Sequence, residues 1–536
     1  MTFVKTTSKN QLPLRREYNV HNALTNYYLL VMFAVFPLIF SDAYFNIRHD
    51  KYFFFLIATL LVLAFEGVNL LSMQSENTKS KPKDEKEKIP LYKKFSFTDY
   101  AVLAFLAVCV ISSIFSDSFS SAFFGTQGRN NGLLLMCAYA GIYFVISRHF
   151  YFKEYILLAL AAGTFITSLL AVLNYFYIDP LGMFSRLSDV QTIDNFTSTI
   201  GNKNLMSSLL CIFMPVTITS FVHTKKNINR IVYLVSSCIA CMAMMISDSD
   251  SGLLGFGVIT VVMFIWYIRK IDRLKKFFLA YTLMFASLKL LILLSTIFVD
   301  GNKGMSELQS FLVDSGISYI LIAFLAVVTA LLYFVDHKKS GIVLPRAVQI
   351  VFIVIALLCV AGFLAAVIYF SCFDKETDLG FLKSFLRFND SWGTHRGFMW
   401  IRSLWIFNDF SFYEKLFGCG PDMFYSAFYP YFSDLTRYGD SSTDCAHNEY
   451  LNYLVTTGAL GLVSYLGIVV SSIRNAVKNF AKNPFAIVCA SAVICYAVQA
   501  VVNIAQPITT PLFILFLALT QAIYREAKSG EIITFS

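Results

Sequence analysis

Residues 346 to 370 read RAVQIVFIVIALLCVAGFLAAVIYF, and nothing after Arg346 in this stretch carries a charge. A helix rises 1.5 Å per residue, so the run exceeds the roughly 20 residues needed to cross about 30 Å of hydrocarbon. It reads as a membrane span. Thirteen further apolar runs surround it: 24 to 45, 51 to 73, 99 to 116, 132 to 147, 153 to 174, 204 to 222, 230 to 247, 252 to 268, 275 to 298, 316 to 335, 449 to 471, 484 to 504 and 508 to 524. The run from 132 to 147 is short, and only the Gln506-Pro507 turn separates the last two, so about 12 to 14 spans are predicted. Composition agrees, with 57% hydrophobic and 14% charged residues and a mean hydropathy of +0.62, against about 25% charged in soluble domains. The chain is predicted to be an all-α polytopic membrane protein.

The net charge of +9 points to lipid head groups. Lys and Arg fall in short clusters between apolar runs, without the aromatic spacing of a base-stacking face, which excludes nucleic acid as a partner. Most of the eleven cysteines lie inside apolar runs and read as small packed hydrophobes. The CxxC of Cys238 and Cys241 is mid-span and reads as a packed helix face. Cys372, Cys419 and Cys445 lie in a polar loop, where one pair could bridge.

Short cytoplasmic loops carry the excess of Lys and Arg. With the N-terminus inside, the inner segments hold 29 and the outer ones 13, seven of these in the single loop from 371 to 446. Both termini are therefore expected in the cytoplasm, and the first span reads as an uncleaved anchor. The chain divides into a bundle of about eleven spans over 1 to 370, an outer loop over 371 to 446, and C-terminal spans over 447 to 536. Ser75 to Lys94, within the inner linker from 74 to 98, alternates Lys with Glu and predicts no fold of its own. The outer loop is too long and too aromatic for a connector. Within it Met399, Trp400, Ile401, Leu404, Trp405 and Phe407, with Arg396 and Arg402 beside them, predict a helix lying in the interface.

Polar motifs gather on the predicted outer side. At the mouth of the twelfth run, HNEYLNYLVTTGALG places His447-Asn448, nine residues, then Gly458 and Gly461. A histidine there can serve as a base near neutral pH, or simply anchor the helix by a hydrogen bond. Two glycines three apart let a neighbouring helix approach closely. The spacing resembles the signature of the O-antigen ligase and O-antigen polymerase superfamily. THRGFMW (Thr394 to Trp400) is similar to that family's loop arginine with its tryptophan, and LFGCGPDMF (Leu416 to Phe424), which includes Gly420, to its Gly-x-Gly-Pro turn. GTQGRNNG (Gly125 to Gly132) and GNKN (Gly201 to Asn204) resemble its outer-loop motifs.

The resemblance implies a GT-C-like membrane glycosyltransferase in the bacterial inner or plasma membrane. The donor it implies is a glycan on undecaprenyl diphosphate, and the acceptor a sugar hydroxyl on another glycan or cell-surface molecule, joined on the outer face with inversion. Such chemistry needs a base at the acceptor hydroxyl and cations on the departing diphosphate. His447 fits the first role. Arg396, Arg129 and Arg402, with Lys203 behind them, fit the second, because a guanidinium can hold phosphate oxygens in a bidentate manner. Arg402 could instead meet lipid phosphate.

No cofactor is implied. One departure bears on this: where many members carry Ser-Arg-Gly, this chain reads Ser247-Asp248-Ser249-Asp250-Ser251-Gly252. Asp248 and Asp250 could ligate a divalent metal, or cap the helix that follows. The resemblance leaves ligase and polymerase open. A transporter or flippase of lipid-linked sugars is the alternative from another class; such proteins place ionisable groups at the midplane, where this chain offers only Lys289 and Glu66.

Overall fold

A computed structural model describes residues 18 to 41, 43 to 79, 95 to 126, 129 to 187, 189 to 298 and 301 to 529. Every one of the fourteen apolar runs contains a helix. In chain order these are α1 (Val20–Ala34), α2 (Ala43–Lys79), α3 (Phe97–Ile114), α4 (Leu133–His149), α5 (Glu154–Tyr175), α6 (Lys203–His223), α7 (Asn227–Ile246), α8 (Asp250–Tyr267), α9 (Ile271–Ile297), α10 (Gly316–Lys338) and α11 (Arg346–Ile368). After the long loop, whose main helix is α12 (Trp392–Asp409), come α13 (Glu449–Asn479), α14 (Phe485–Gln499) and α15 (Thr510–Ser529). Eleven helices among the described residues are long and apolar enough to cross a membrane, and α4 is a shorter apolar helix. The chain is an all-α polytopic membrane protein.

Helix starts are fixed locally. Asn19 and Asn22 form a capping box at α1, as Ser96 and Asp99 do at α3, each satisfying two otherwise unpaired amides. Helix α2 runs on to Lys79, so the start of the predicted linker is helical, while residues 80 to 94 lie outside those described. Packing then sorts the helices by depth. Helix α6 is the axis, with its apolar window wholly buried, and α5, α7 and α14 surround it. Its polar positions do not expose it, because Thr217 and Thr219 return their hydroxyls to the carbonyls of Met214 and Pro215 at 2.9 and 2.7 Å. Helix α11 is the opposite case: none of its residues is buried, as suits a helix bathed in lipid.

The two ionisable groups that the sequence places near the midplane of the runs both have structural partners. Lys289 in α9 donates to Val313 O and to the Ser318 hydroxyl at the start of α10. Glu66 in α2 meets His21 Nδ1 at 2.8 Å. All eleven cysteines are free, so no pair among Cys372, Cys419 and Cys445 is bridged.

The helix predicted around Met399 to Phe407 is present as α12. Its buried side, Phe398, Met399 and Ile406, packs with Phe424, Phe428 and Leu435 of the same loop and with Val455 of α13. The loop from 371 to 446 thus has its own apolar core, which continues onto the helix that follows it.

Candidate active site

The geometry starts at a break in α13. Gly458 has φ of +69° and interrupts the helical hydrogen bonding, which frees the carbonyls of Val455 and Thr456. Cys419 N and Gly420 N take them at 3.2 and 3.0 Å. The turn from Leu416 to Gly420 therefore crosses the helix at its break, and a Cβ at Gly458 would lie 2.4 Å from the Leu416 carbonyl. The two glycine motifs, 40 residues apart in sequence, are halves of one crossing. Gly461, the second glycine of the pair, faces Val108 of α3. Gly458→Ala is expected to cost the backbone strain of a left-handed residue, about 1 to 3 kcal/mol, plus that clash. The check is thermal stability in detergent, where an unchanged Tm would contradict the crossing.

From this crossing the chain reaches Asp422, which organises the next motif. Its carboxylate accepts Thr126 N at 2.8 Å and Asn131 N at 3.2 Å, and its carbonyl accepts the Thr126 hydroxyl at 2.7 Å. Burial pushes its carboxyl up to about 6, against the opposing pull of those amides and Arg129. The loop so held presents Arg129. That guanidinium is buried and grips Asp444 through two nitrogens, with Nη2 at 2.6 Å from Oδ1, and Nη2 also reaches Cys445 Sγ at 3.1 Å. Burial favours the neutral carboxyl of Asp444, but Arg129, Arg48 and His447 hold it below the usual carboxylate range.

His447 follows Asp444 by three residues and has φ of +48°, a strained conformation for a residue with a side chain. The strain is fixed by what comes next: Asn448 caps α13, its side chain accepting Tyr450 N and Leu451 N at 3.0 Å each. Asn448 thus sets the helix start and, with it, the direction of the imidazole. His447 makes no side-chain hydrogen bond to a described residue. Burial, then Arg396 and Arg129, push its pKa down to about 3, so the ring is neutral at physiological pH.

These residues line a cavity of about 370 Å³ at one end of the bundle. His447, Arg129 and Asp444 form one wall, with Gly201, Asn202 and Asn204 from the start of α6, Asn503 and Gln506 from the turn before α15, and Arg48 near the start of α2. Asn202 caps α6 through Asn204 N at 2.9 Å, and Asn503 ties the carbonyl of Asn204 at 3.3 Å. Gln506 Oε1 is buried without a partner. Five segments far apart in sequence converge here.

The arginines behave differently from one another. Arg129 is committed to Asp444. Arg396 sits after a left-handed turn in which Gly393, Thr394 and His395 all have positive φ. Its Nη1 donates to Gly393 O at 3.2 Å while Nε is buried without a partner. It acts electrostatically on both His447 and Asp250. Arg402 does neither: it pairs with Asp390 at 2.6 Å and lies over the rings of Phe398 and Trp405, so it is a fastener inside the loop rather than a cation of the cavity. Lys203 pairs with Asp248 at 3.7 Å.

Among the described residues, Asp248 and Asp250 belong to no group of three or more His, Cys, Asp or Glu side chains placed to share an ion. Asp248 accepts Ser306 N at 2.7 Å and meets Lys203, while Asp250 is exposed with Gln309 Nε2 at 3.5 Å. Neither side chain caps α8, whose N-cap is Ser249. Asp250 instead lies in the first turn, where a helix dipole favours an anion. It also borders a second cavity of about 520 Å³ lined by Lys383, Arg387, Asn389 and Trp392.

Arg48 was not singled out by sequence reasoning. It is exposed to the cavity and, among the described residues, makes no ion pair. A signal existed: outer loops are poor in cations, so an arginine in the short turn between the first two runs, expected to be outside, goes against the trend on which the predicted orientation rests.

In a comparison with protein families, residues 310–466 match the model described as O-antigen ligase. That segment carries Arg396, Gly420, Asp444, His447, Asn448, Gly458 and Gly461, whereas Arg48, Arg129 and the walls from α6 and the turn before α15 lie outside it. Comparison with curated proteins gives no match.

Proposed function

We propose that this chain, whose residues 310–466 match the family model described as O-antigen ligase, transfers a glycan from undecaprenyl diphosphate to a sugar hydroxyl, with inversion. The observation that carries this reading is that the His447 side chain lines a cavity together with Arg48 and Arg129, with Arg396 close enough to act on the imidazole electrostatically. In the proposed step the acceptor oxygen attacks the anomeric carbon from the side opposite the diphosphate. A new C–O bond forms while the bond to the diphosphate oxygen breaks, and the electron pair leaves with the diphosphate. His447 takes the hydroxyl proton. Arg48 and Arg396 receive the departing charge, and a preorganised cation does so without reorganisation cost. Arg129 orders this wall through Asp444.

No metal takes part in this scheme, since arginine supplies the positive charge. The test is reconstitution in lipid vesicles with a lipid-diphosphate glycan donor and a glycan acceptor, in EDTA, scoring product and released lipid diphosphate. Lipid movement without a new glycosidic bond would overturn transfer in favour of transport.

The same reading places the cavity on the extracytoplasmic face of a bacterial cell membrane and both termini in the cytoplasm, supported by the basic-residue asymmetry. A cysteine at Ser433 is expected to react with an impermeant thiol reagent on intact cells, above the signal of the parent protein. A cysteine at Lys482 is expected to react only after permeabilisation. The reverse pattern would invert the orientation.

A further inference from the structure

The catalytic scheme leaves unused a cluster at the other end of three helices. His21 is the second residue of α1, Glu66 lies in α2, and His149 is the last residue of α4. Their nitrogen and oxygen ligand atoms all lie within 4.8 Å of one another. His21 Nδ1 is 2.8 Å from Glu66 Oε2, and His149 Nε2 is 3.9 Å from the same oxygen. The two imidazoles are stacked, with centroids 5.0 Å apart and planes 26° apart. Their register is set by the backbone, because Asn22 Nδ2 donates to the carbonyl of His149.

Arg48 and Glu66 belong to one helix and are separated along its axis by about 27 Å, close to the hydrocarbon thickness of a membrane. Arg129 and His149 likewise flank the two ends of α4. The cluster therefore lies across the bundle from the cavity.

We propose that His21, Glu66 and His149 bind a zinc ion that clips α1, α2 and α4 together at the face opposite the active site. Two imidazole nitrogens and one carboxylate suit zinc, with water completing four ligands. In a tetrahedral site with bonds of about 2.0 to 2.1 Å, ligand atoms sit about 3.3 Å apart. The separations of 2.8 and 3.9 Å bracket that value, so small side-chain shifts complete the site. The ligands come from three helices, and two of these also supply the cavity wall: α2 carries Arg48, and the loop before α4 carries Arg129. A clip at this end limits how far those helices can splay.

The experiment uses the full chain purified in detergent with a tag free of histidine, loaded with Zn²⁺, dialysed, and analysed for metal. About one ion per chain is expected, with a loss of about tenfold in His21→Ala and in His149→Ala and no change in His337→Ala. Only monodisperse protein is scored, and Glu66→Gln, which keeps the side-chain size, is expected to weaken retention as well. Zinc is also expected to raise the Tm of the parent and leave that of His149→Ala unmoved. The Co²⁺-loaded parent provides a readout independent of any variant, through the visible absorption of a tetrahedral site. Absence of those bands, or equal zinc retention in parent and both alanine variants, would reduce the cluster to a histidine–carboxylate ion pair.

Discussion

His447→Ala is expected to slow glycan transfer by about 10² to 10⁴, the usual cost of removing a general base, while the protein still inserts and folds. The second expectation follows from charge. In the free protein burial and the flanking arginines hold the imidazole pKa near 3, so His447 is already unprotonated between pH 5 and 8. It should contribute no acid limb to kcat/KM in that range. A limb near pH 6 would belong to Asp422, whose carboxyl is raised to about 6, and should vanish in Asp422→Asn. Once a diphosphate anion lies among the same arginines, their effect on His447 is partly cancelled and its pKa rises. The acid limb of kcat therefore lies higher than any His447 limb of kcat/KM, and activity falls as pH drops through it. Near-normal turnover by His447→Ala would remove the imidazole from the mechanism. Identical pH profiles for kcat and kcat/KM would remove the coupling to the anion.

The spans and the place of His447 were legible because both are local signals. Hydropathy over 20 residues marks a span directly, and His447 stands out by its spacing from Gly458 and Gly461 at the mouth of the twelfth run, whereas the capping role of Asn448 comes from the structure. What was not legible depends on partners distant in sequence. Arg129 reads as a free cation in GTQGRNNG, yet Asp444, 315 residues away, engages two of its nitrogens. Arg402 reads as a lipid or diphosphate contact, yet Asp390 and two rings hold it within its own loop. Asp422 carries no visible role until Thr126 and Asn131 are seen to donate to it. Asp248 is a related case: it reads as a helix cap, yet tertiary packing brings Lys203 and Ser306 to it instead.

These pairings decide which cations remain for a diphosphate, and the expected result is that Arg48→Ala and Arg396→Ala each reduce kcat/KM for the donor by about 10², as for loss of one preorganised donor. Arg129 has committed two nitrogens to Asp444, so its replacement should act mainly through disorder of that wall. Breaking a buried ion pair by removing one partner typically costs about 3 to 5 kcal/mol, so Arg129→Ala should lose stability before its chemistry can be read. Arg48 and Arg396 are cleaner probes, because neither forms an ion pair among the described residues. Arg396→Lys separates charge from shape: lysine keeps the positive charge but loses the planar fork. If Arg396 holds phosphate oxygens, the lysine variant should recover only part of the loss. If it merely tunes the field at His447, the lysine variant should recover nearly all of it. Arg402→Ala is the contrast, expected to lower Tm through loss of the Asp390 pair while the folded fraction turns over normally. Wild-type donor kinetics in Arg48→Ala and Arg396→Ala together, with loss confined to Arg402→Ala, would move diphosphate recognition from Arg48 and Arg396 to the stretch of α12 around Arg402.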